Sequence, residues 1–444
     1  MLQRWLTRIL NLERGEIAPV AFGFTLFFLL FAGYFMLRPV RETMGITGGV
    51  DNLQWLFTGT FLATLAAMPL FGWVAARVMR RRILYWVFGF FAANLAGFAL
   101  GFLAHPDNVW LARAFYIWLS VFNLIAISVA WSVLVDLFAV GQAKRLFGLM
   151  AAGASLGGLT GPLLGVLLVG PIGHAGLLLL SAVLLLAAAF AARRVQRWRD
   201  ENPVAEAAAE DGAAPPASSG RLPDGEPPAS RARDRNLPLG GSPFAGASEV
   251  LRSPFMLGIA VFVLLLASVS TFLYFEQARL VEIRFPDSRD QTRVFGMIDA
   301  TVQALAILSQ LLLTGRIAQR FGIGLLLVAV PMLAMLGFLW LALAPTFAVL
   351  AVVMVVRRAG EYAFIRPGRE MLWTAVAPQA KYKAKNFVDT VVYRGADAVS
   401  SWVKAGIDLL AQQPAVAAVI GAGIALAWGI NGGLLARMHR RMAT

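Results

Sequence analysis

The 444-residue chain is 59% hydrophobic and 14% charged, with a mean hydropathy of +0.69; no water-soluble domain could bury that much apolar surface. Its formal charge of +14 does not indicate nucleic-acid binding, because the basic residues fall in short clusters between apolar stretches. The absence of cysteine and the scatter of His105, His174 and His439 exclude disulfide, thiolate and metal-site chemistry.

Apolar stretches of about 20 residues, the length that crosses roughly 30 Å of hydrocarbon as a helix, recur twelve times. The first, 18–42, is too long for a signal-peptide core and no small-residue cleavage site follows it, so it is expected to persist as a helix. It ends in "YFMLRPVRE" (34–42), which sets Arg38, Arg41 and Glu42 around Pro39 where lipid would be expected. Spans 2 to 6 follow at 53–76, 83–104, 109–137, 146–169 and 175–192. Span 5 repeats glycine at 153, 157, 161 and 165. That spacing makes a smooth face for close helix packing; a phosphate loop would need a preceding strand and a following Lys-Ser/Thr.

Residues 195–250 are rich in Ala, Pro, Gly and Ser and read as a disordered linker. Spans 7 to 12 then occupy 254–278, 293–314, 323–343, 346–365, 386–410 and 414–436. Span 7 ends in Glu276 and Arg279, and Asp299 lies in the outer half of span 8. Span 10 holds Arg357 and Arg358 half-way along, with Glu361 and Tyr362 a turn further. Span 11 places Arg394, Asp397, Ser401 and Lys404 on one helix face, a polar stripe. Trp55, Trp110, Trp118 and Trp402 read as interfacial anchors or packing.

Lysine and arginine concentrate in the N-terminal segment, alternate loops, the linker and the tail, which places both termini in the cytoplasm by the positive-inside rule. An internal repeat accompanies the six-and-six split. "YFMLRPVRE" from Tyr34 aligns with "YFEQARLVE" from Tyr274, "GWVAARVMRRR" from Gly72 with "GRIAQRFGIG" from Gly315, and "AVGQAKR" from Ala139 with "AVAPQAKYK" from Ala375. The expected fold is an all-α integral membrane protein of twelve transmembrane helices in two pseudo-symmetric six-helix halves, 1–194 and 251–444, joined by the 195–250 linker. This layout resembles the major facilitator superfamily. Gly315, Ile317, Ala318, Arg320 and Gly322 match that superfamily's G-x-L-A-D-R-x-G-R loop, with Gln319 at the acidic position. The first copy keeps Gly72, Ala75 and Arg77 and has Ala76 in place of the acid.

Ionisable side chains at membrane depth usually face a cavity or a partner, because each costs at least about 2.5 kcal/mol to insert. Arg358 with Glu361 and Arg394 with Asp397 could pair along their own helices. Arg38, Arg41, one of Arg357 and Arg358, and Lys404 remain in excess, so a net-positive central path is expected. Such a path favours an anionic substrate held by guanidiniums on phosphate or carboxylate. The candidate binding set is Arg38, Arg41, Arg357, Arg358 and Arg394, with Tyr34 and Tyr393. Glu42, Glu276, Asp299, Glu361, Asp389 and Asp397 are candidates for gating or coupling; a buried carboxylate can carry a proton.

Three further segments resemble the ATP/ADP translocase-like group of nucleotide exchangers, in its short bacterial form. "LRPVRETMGI" is similar to that group's first-helix L-R-x-x-K-D-x-L, with Arg38, Arg41 and Glu42 in the Arg, Lys and Asp places. "SVAWSVLVDLFAVGQAKRLFGLMAAGASLGG" is similar to its fourth and fifth helices, and "KYKAKNFVDTVVYRGAD" to its eleventh. The resemblance implies nucleotide exchange, with Arg41 and Arg394 gripping phosphates. Where the group continues R-x-G-K, this chain has Arg394-Gly395-Ala396-Asp397, an acid for a cation, which disfavours a triphosphate.

The leading expectation is a secondary transporter of an organic anion, a nucleotide by the resemblance, working by alternating access in a bacterial inner membrane as a monomer. It needs no cofactor, metal or nucleic acid, and its partners are the anionic solute and the lipid bilayer. Two alternatives stay open: a proton-coupled transporter of a different solute, and a non-transporting receptor or scaffold that uses the linker. No enzyme motif is present.

Overall fold

The structure, a computed structural model, describes residues 15–77, 80–138, 140–201, 246–411 and 413–443. Eight stretches among them are long and apolar enough to cross a membrane. Two of these eight, Arg145–Glu201 and Ser288–Leu343, reverse direction at Gly173 (φ 66°) and Gly322 (φ 72°). Positive φ with extended ψ is essentially open only to glycine, so these two residues turn two long helices into four. Two further helical spans, 347–372 and 378–411, are less apolar because they carry charged residues, Arg357, Arg358 and Glu361 in the one and Asp389, Arg394, Asp397 and Lys404 in the other. The described residues therefore form twelve membrane helices.

The six helices of the first half are α1 (Ile17–Ile46), α2 (Leu53–Arg77), α3 (Arg80–Ala104), α4 (Val109–Leu137), α5 (140–172) and α6 (174–201). The second half comprises α7 (Pro254–Arg284), α8 (288–321), α9 (323–343), α10 (347–372), α11 (378–411) and α12 (Pro414–Ala443). Several starts are fixed by side-chain caps, which satisfy amide hydrogens left over in a first turn. Asn108 caps α4, Ser253 α7, Asp287 α8 and Thr346 α10. Widened π turns interrupt α8 at Gln310–Thr314, α10 at Glu361–Ile365 and α11 at Val388–Val392.

The first span is longer than expected: α1 continues through buried Pro39 to Ile46, so Arg38, Arg41 and Glu42 lie within it rather than at its end. The linker is shorter at both edges. Helix α6 extends through Val195 to Glu201, and a short helix occupies Ala247–Arg252; the remaining 202–245 lie outside the described residues. The side chains of the first loop motif between α2 and α3, Gly72 apart, lie outside them too.

Each half has its own apolar core, one around Phe27, Phe88, Phe115 and Phe122, the other around Phe262, Phe272, Trp373 and Trp428. A third cluster, with Ile46, Leu53, Leu56 and Tyr116 from one half and Phe275, Val281, Phe295 and Val302 from the other, joins the two. The glycine face of α5 works as expected. A Cβ on Gly153, Gly157 or Gly161 would collide with the carbonyl oxygens of Phe24, Phe28 and Ala32, so α5 and α1 touch backbone to backbone.

The third cluster marks the end of the bundle away from the termini. Thr43 of α1 and Thr292 of α8 are hydrogen-bonded there at 2.7 Å, and His174 reaches Thr292 at 3.0 Å. Along the other seam Trp402 of α11 donates to Thr58 of α2 at 3.0 Å, and its ring meets Trp55 edge-on at 4.8 Å. Trp55 and Trp402 therefore pack the halves together, and Trp118 stacks on Phe122 within the first core. Trp110, 75% exposed, and Trp55, 60% exposed, have the surface exposure of interfacial anchors.

Candidate substrate-binding cavity

Below this closed layer lies a cavity of about 680 Å³ between the halves, lined by α1, α2, α4, α7, α8, α10 and α11. It extends to Arg369, Glu370 and Asp389, toward the end that carries the termini. The sequence-derived set converges on it. Tyr34, Arg38, Arg41, Arg357, Arg358, Tyr393 and Arg394 all line it, as do Glu42, Asp299, Glu361, Asp389 and Asp397. Periodicity explains the convergence on α1, where Tyr34, Arg38 and Arg41 fall on one face at spacings of four and three.

The pairing inside the cavity differs from the expectation on one helix. Glu361 belongs to Arg357, one full turn away, with Nη1 3.2 Å from Oε2. Arg358 instead reaches across to α8, where its Nη2 is 2.6 Å from Asp299 Oδ1. Neighbouring residues on a helix point about 100° apart, so the two arginines cannot serve the same acid equally well. Asp299 is also approached by Arg38 Nε at 3.7 Å from the opposite half. Arg38 Nη1 donates to the Tyr362 hydroxyl at 3.3 Å.

Closer to the sealed end, Arg41 pairs with Glu42 at 3.0 Å, donates to Ser120 Oγ at 3.2 Å and lies 4.6 Å over the Tyr116 ring. On α11 the expected Arg394–Asp397 pair forms at 3.5 Å, and Thr271 donates to Asp397 at 3.2 Å. Asp389 is held by Arg369 at 3.1 Å.

Two expectations fail. Lys404 does not face the central path: it is buried against Asp408 at 2.5 Å, and it lines a separate recess with Glu276. Glu276 itself pairs with Arg279 and does not line the cavity. The polar stripe of α11 leaves the cavity after Asp397, where Ser400 binds Ser268 of α7 at 2.7 Å and Ser401 turns back to the Ala398 carbonyl at 2.6 Å.

Arg366 and Arg369 fall beyond span 10 as the sequence delimits it, 346–365, and so outside the candidate set. The helix continues to Leu372 beyond its π turn. Arg366 lies 4.3 Å over the Tyr362 ring and 3.6 Å from Glu361. The spacing of 358, 362, 366 and 369 carried the signal, a helical period continuing past the apolar segment. Tyr116, Ser120, Ser270 and Tyr274 also line the cavity; they look like ordinary span residues in sequence.

Several buried polar atoms have no hydrogen-bond partner: Arg41 Nε, Arg357 Nε, Glu42 Oε2 and Asp299 Oδ2. Unpaired groups of this kind are costly in a closed interior, and all four belong to cavity-lining residues. Among the described residues no cluster of His, Cys, Asp or Glu could hold a metal ion.

No curated protein matches the sequence. Among solved structures the chain is similar to a bacterial homologue of the human lysosomal transporter Spinster, with a TM-score of 0.58, 14% identity and 97% of each chain covered. It is also similar to a bacterial homologue of the iron transporter ferroportin, with a TM-score of 0.62, 12% identity, and 94% of this chain and 100% of the other covered. The nucleoside transporter NupG gives a TM-score of 0.61 at 14% identity, with 95% and 99% covered. At these identities the likeness is one of fold. The family model of the Major Facilitator Superfamily matches residues 20–383, and the chain belongs to that superfamily of membrane transporters.

Proposed function

We propose that the protein is a secondary transporter of an organic anion that works by alternating access, with a nucleotide as the specific candidate and exchange as the mode. The observation that carries this reading is the guanidinium-rich cavity between the halves: seven arginines line it among the described residues. Guanidinium is the side-chain group that best forks onto phosphate and carboxylate. The segments similar to nucleotide exchangers support the nucleotide, and Asp397 argues for fewer charges than a triphosphate carries. One chain supplies both walls of the cavity, so a monomer suffices.

Both termini are cytoplasmic in this reading, and the membrane is a bacterial inner membrane. The apolar layer at Thr43 and Thr292 then closes the outer side, and the cavity faces inward. Solute entering from the cytoplasm meets Arg369 and Arg366 first, then Arg357 and Arg358, and finally Arg38, Arg41 and Arg394. Rocking of the halves about the solute would open the sealed layer and close the other end.

Counterflow tests this directly. Proteoliposomes preloaded with unlabelled nucleotides, sugar phosphates or organic acids are expected to accumulate the matching labelled anion. Accumulation of neutral or cationic solutes alone would remove the anion reading. A proton-coupled cycle is the second reading, favoured by Glu42 Oε2, a buried carboxylate oxygen without a hydrogen-bond partner; it predicts uptake that collapses with the proton gradient.

A further inference from the structure

We infer that the solute is a dianion, because two of the seven cavity arginines are left without a carboxylate of their own once Glu370 is taken by Lys385 from outside the cavity lining. This rests on the anion-transport reading and narrows it to a charge. Three acids are matched one to one: Glu42 by Arg41 at 3.0 Å, Asp397 by Arg394 at 3.5 Å and Asp389 by Arg369 at 3.1 Å. Glu370 is matched by Lys385 at 2.6 Å. The two remaining acids are each shared. Asp299 serves Arg358 and Arg38 at 2.6 and 3.7 Å. Glu361 serves Arg357 and Arg366 at 3.2 and 3.6 Å. Four guanidiniums therefore have two carboxylates between them.

The two shared centres adjoin. Tyr362 stands between them, its hydroxyl 3.3 Å from Arg38 Nη1 and its ring 4.3 Å under Arg366. One compact oxyanion seated beside Tyr362 can thus meet both unmatched charges.

Charge matching sets the selectivity. A monoanion leaves one guanidinium uncompensated in a partly desolvated site, and a triphosphate brings excess negative charge against Glu361 and Asp299. Either mismatch weakens binding. A phosphate monoester and a short dicarboxylate share the required chemistry, and only binding data separate them.

The test is calorimetric titration of the full-length protein in lipid nanodiscs at pH 8. The probes are adenosine, its 5′-monophosphate, the monoanionic methyl ester of that phosphate, adenosine triphosphate, and succinate. The dianions are expected to bind about tenfold or more tighter than both the methyl ester and the triphosphate. The better of monophosphate and succinate identifies the head group. Arg366→Gln removes one unmatched charge and should narrow the dianion-over-monoanion ratio at least about fivefold; the comparison on the unaltered protein stands if that variant does not fold. Equal binding of methyl ester and monophosphate, or tightest binding of the triphosphate, overturns the charge count and leaves anion transport intact. Binding of no anion at all defeats the anion reading and this inference with it.

Discussion

Asp299 of the second half and Arg38 of the first approach to 3.7 Å across the cavity, an ion pair that joins the two halves. The same carboxylate holds Arg358 at 2.6 Å. Under the proposed alternating access, a solute oxyanion that takes over Arg38 would compete with this contact between the halves and so tie occupancy of the site to their movement.

Asp299→Asn leaves Arg358 buried, with an 8% exposed side chain, and without its acid. Removing one partner of a buried pair costs roughly 3–5 kcal/mol. The expected result is a clearly lowered melting temperature in detergent, partly restored in Asp299→Asn/Arg358→Gln. A single variant as stable as the unaltered protein would mean the pair carries no structural weight.

Cavity arginines and the buried lysine should separate by readout. Arg357→Gln removes a charge-assisted contact worth about 1.5–3 kcal/mol, so anion affinity should fall roughly ten- to a hundredfold. Lys404→Gln breaks the Lys404–Asp408 pair outside the cavity. It should lower stability while leaving apparent anion affinity within about twofold. Equal affinity losses in both variants would contradict the boundary drawn around the site.

Much of this arrangement was legible in the sequence because charge in an apolar span is rare and helical spacing is regular. Tyr34, Arg38 and Arg41 fall on one face at spacings of four and three, and all three line the cavity. Which acid each arginine takes was not legible. Arg358 has Glu361 three residues away, yet its partner lies on α8, and only tertiary packing decides between them. Lys404 misled for the opposite reason: its helix face is continuous with Arg394, but the cavity closes at Asp397. Arg366 and Arg369 were lost because the π turn lets α10 continue where apolar residues stop.

The contact of α5 with α1 leaves no room for a side chain at Gly157. Gly157→Leu should separate these helices and cut folded yield sharply, since even modest overpacking costs about 1–3 kcal/mol. Gly423→Leu on α12, where a Cβ meets nothing within 4 Å, is the control and should fold normally. Size-exclusion profiles of the two proteins decide the matter.

Because the chain contains no cysteine, paired cysteines report position without background. Thr43→Cys/Thr292→Cys replaces the 2.7 Å hydroxyl contact between α1 and α8. Oxidation should link the two positions, arrest transport and be reversed by reductant. Rapid oxidation with undiminished transport would show that this layer does not open during the cycle.

The proposed function requires that the arginine-lined cavity carry an anion across the membrane. Its most direct measurement is counterflow of labelled adenosine monophosphate and labelled succinate in proteoliposomes, run in parallel for the unaltered protein and for Arg357→Gln. The prediction is saturable accumulation of at least one of these anions, driven by the same anion inside and lost in the variant. Accumulation of neither anion, together with uptake of a neutral or cationic solute that is indifferent to Arg357, would contradict it.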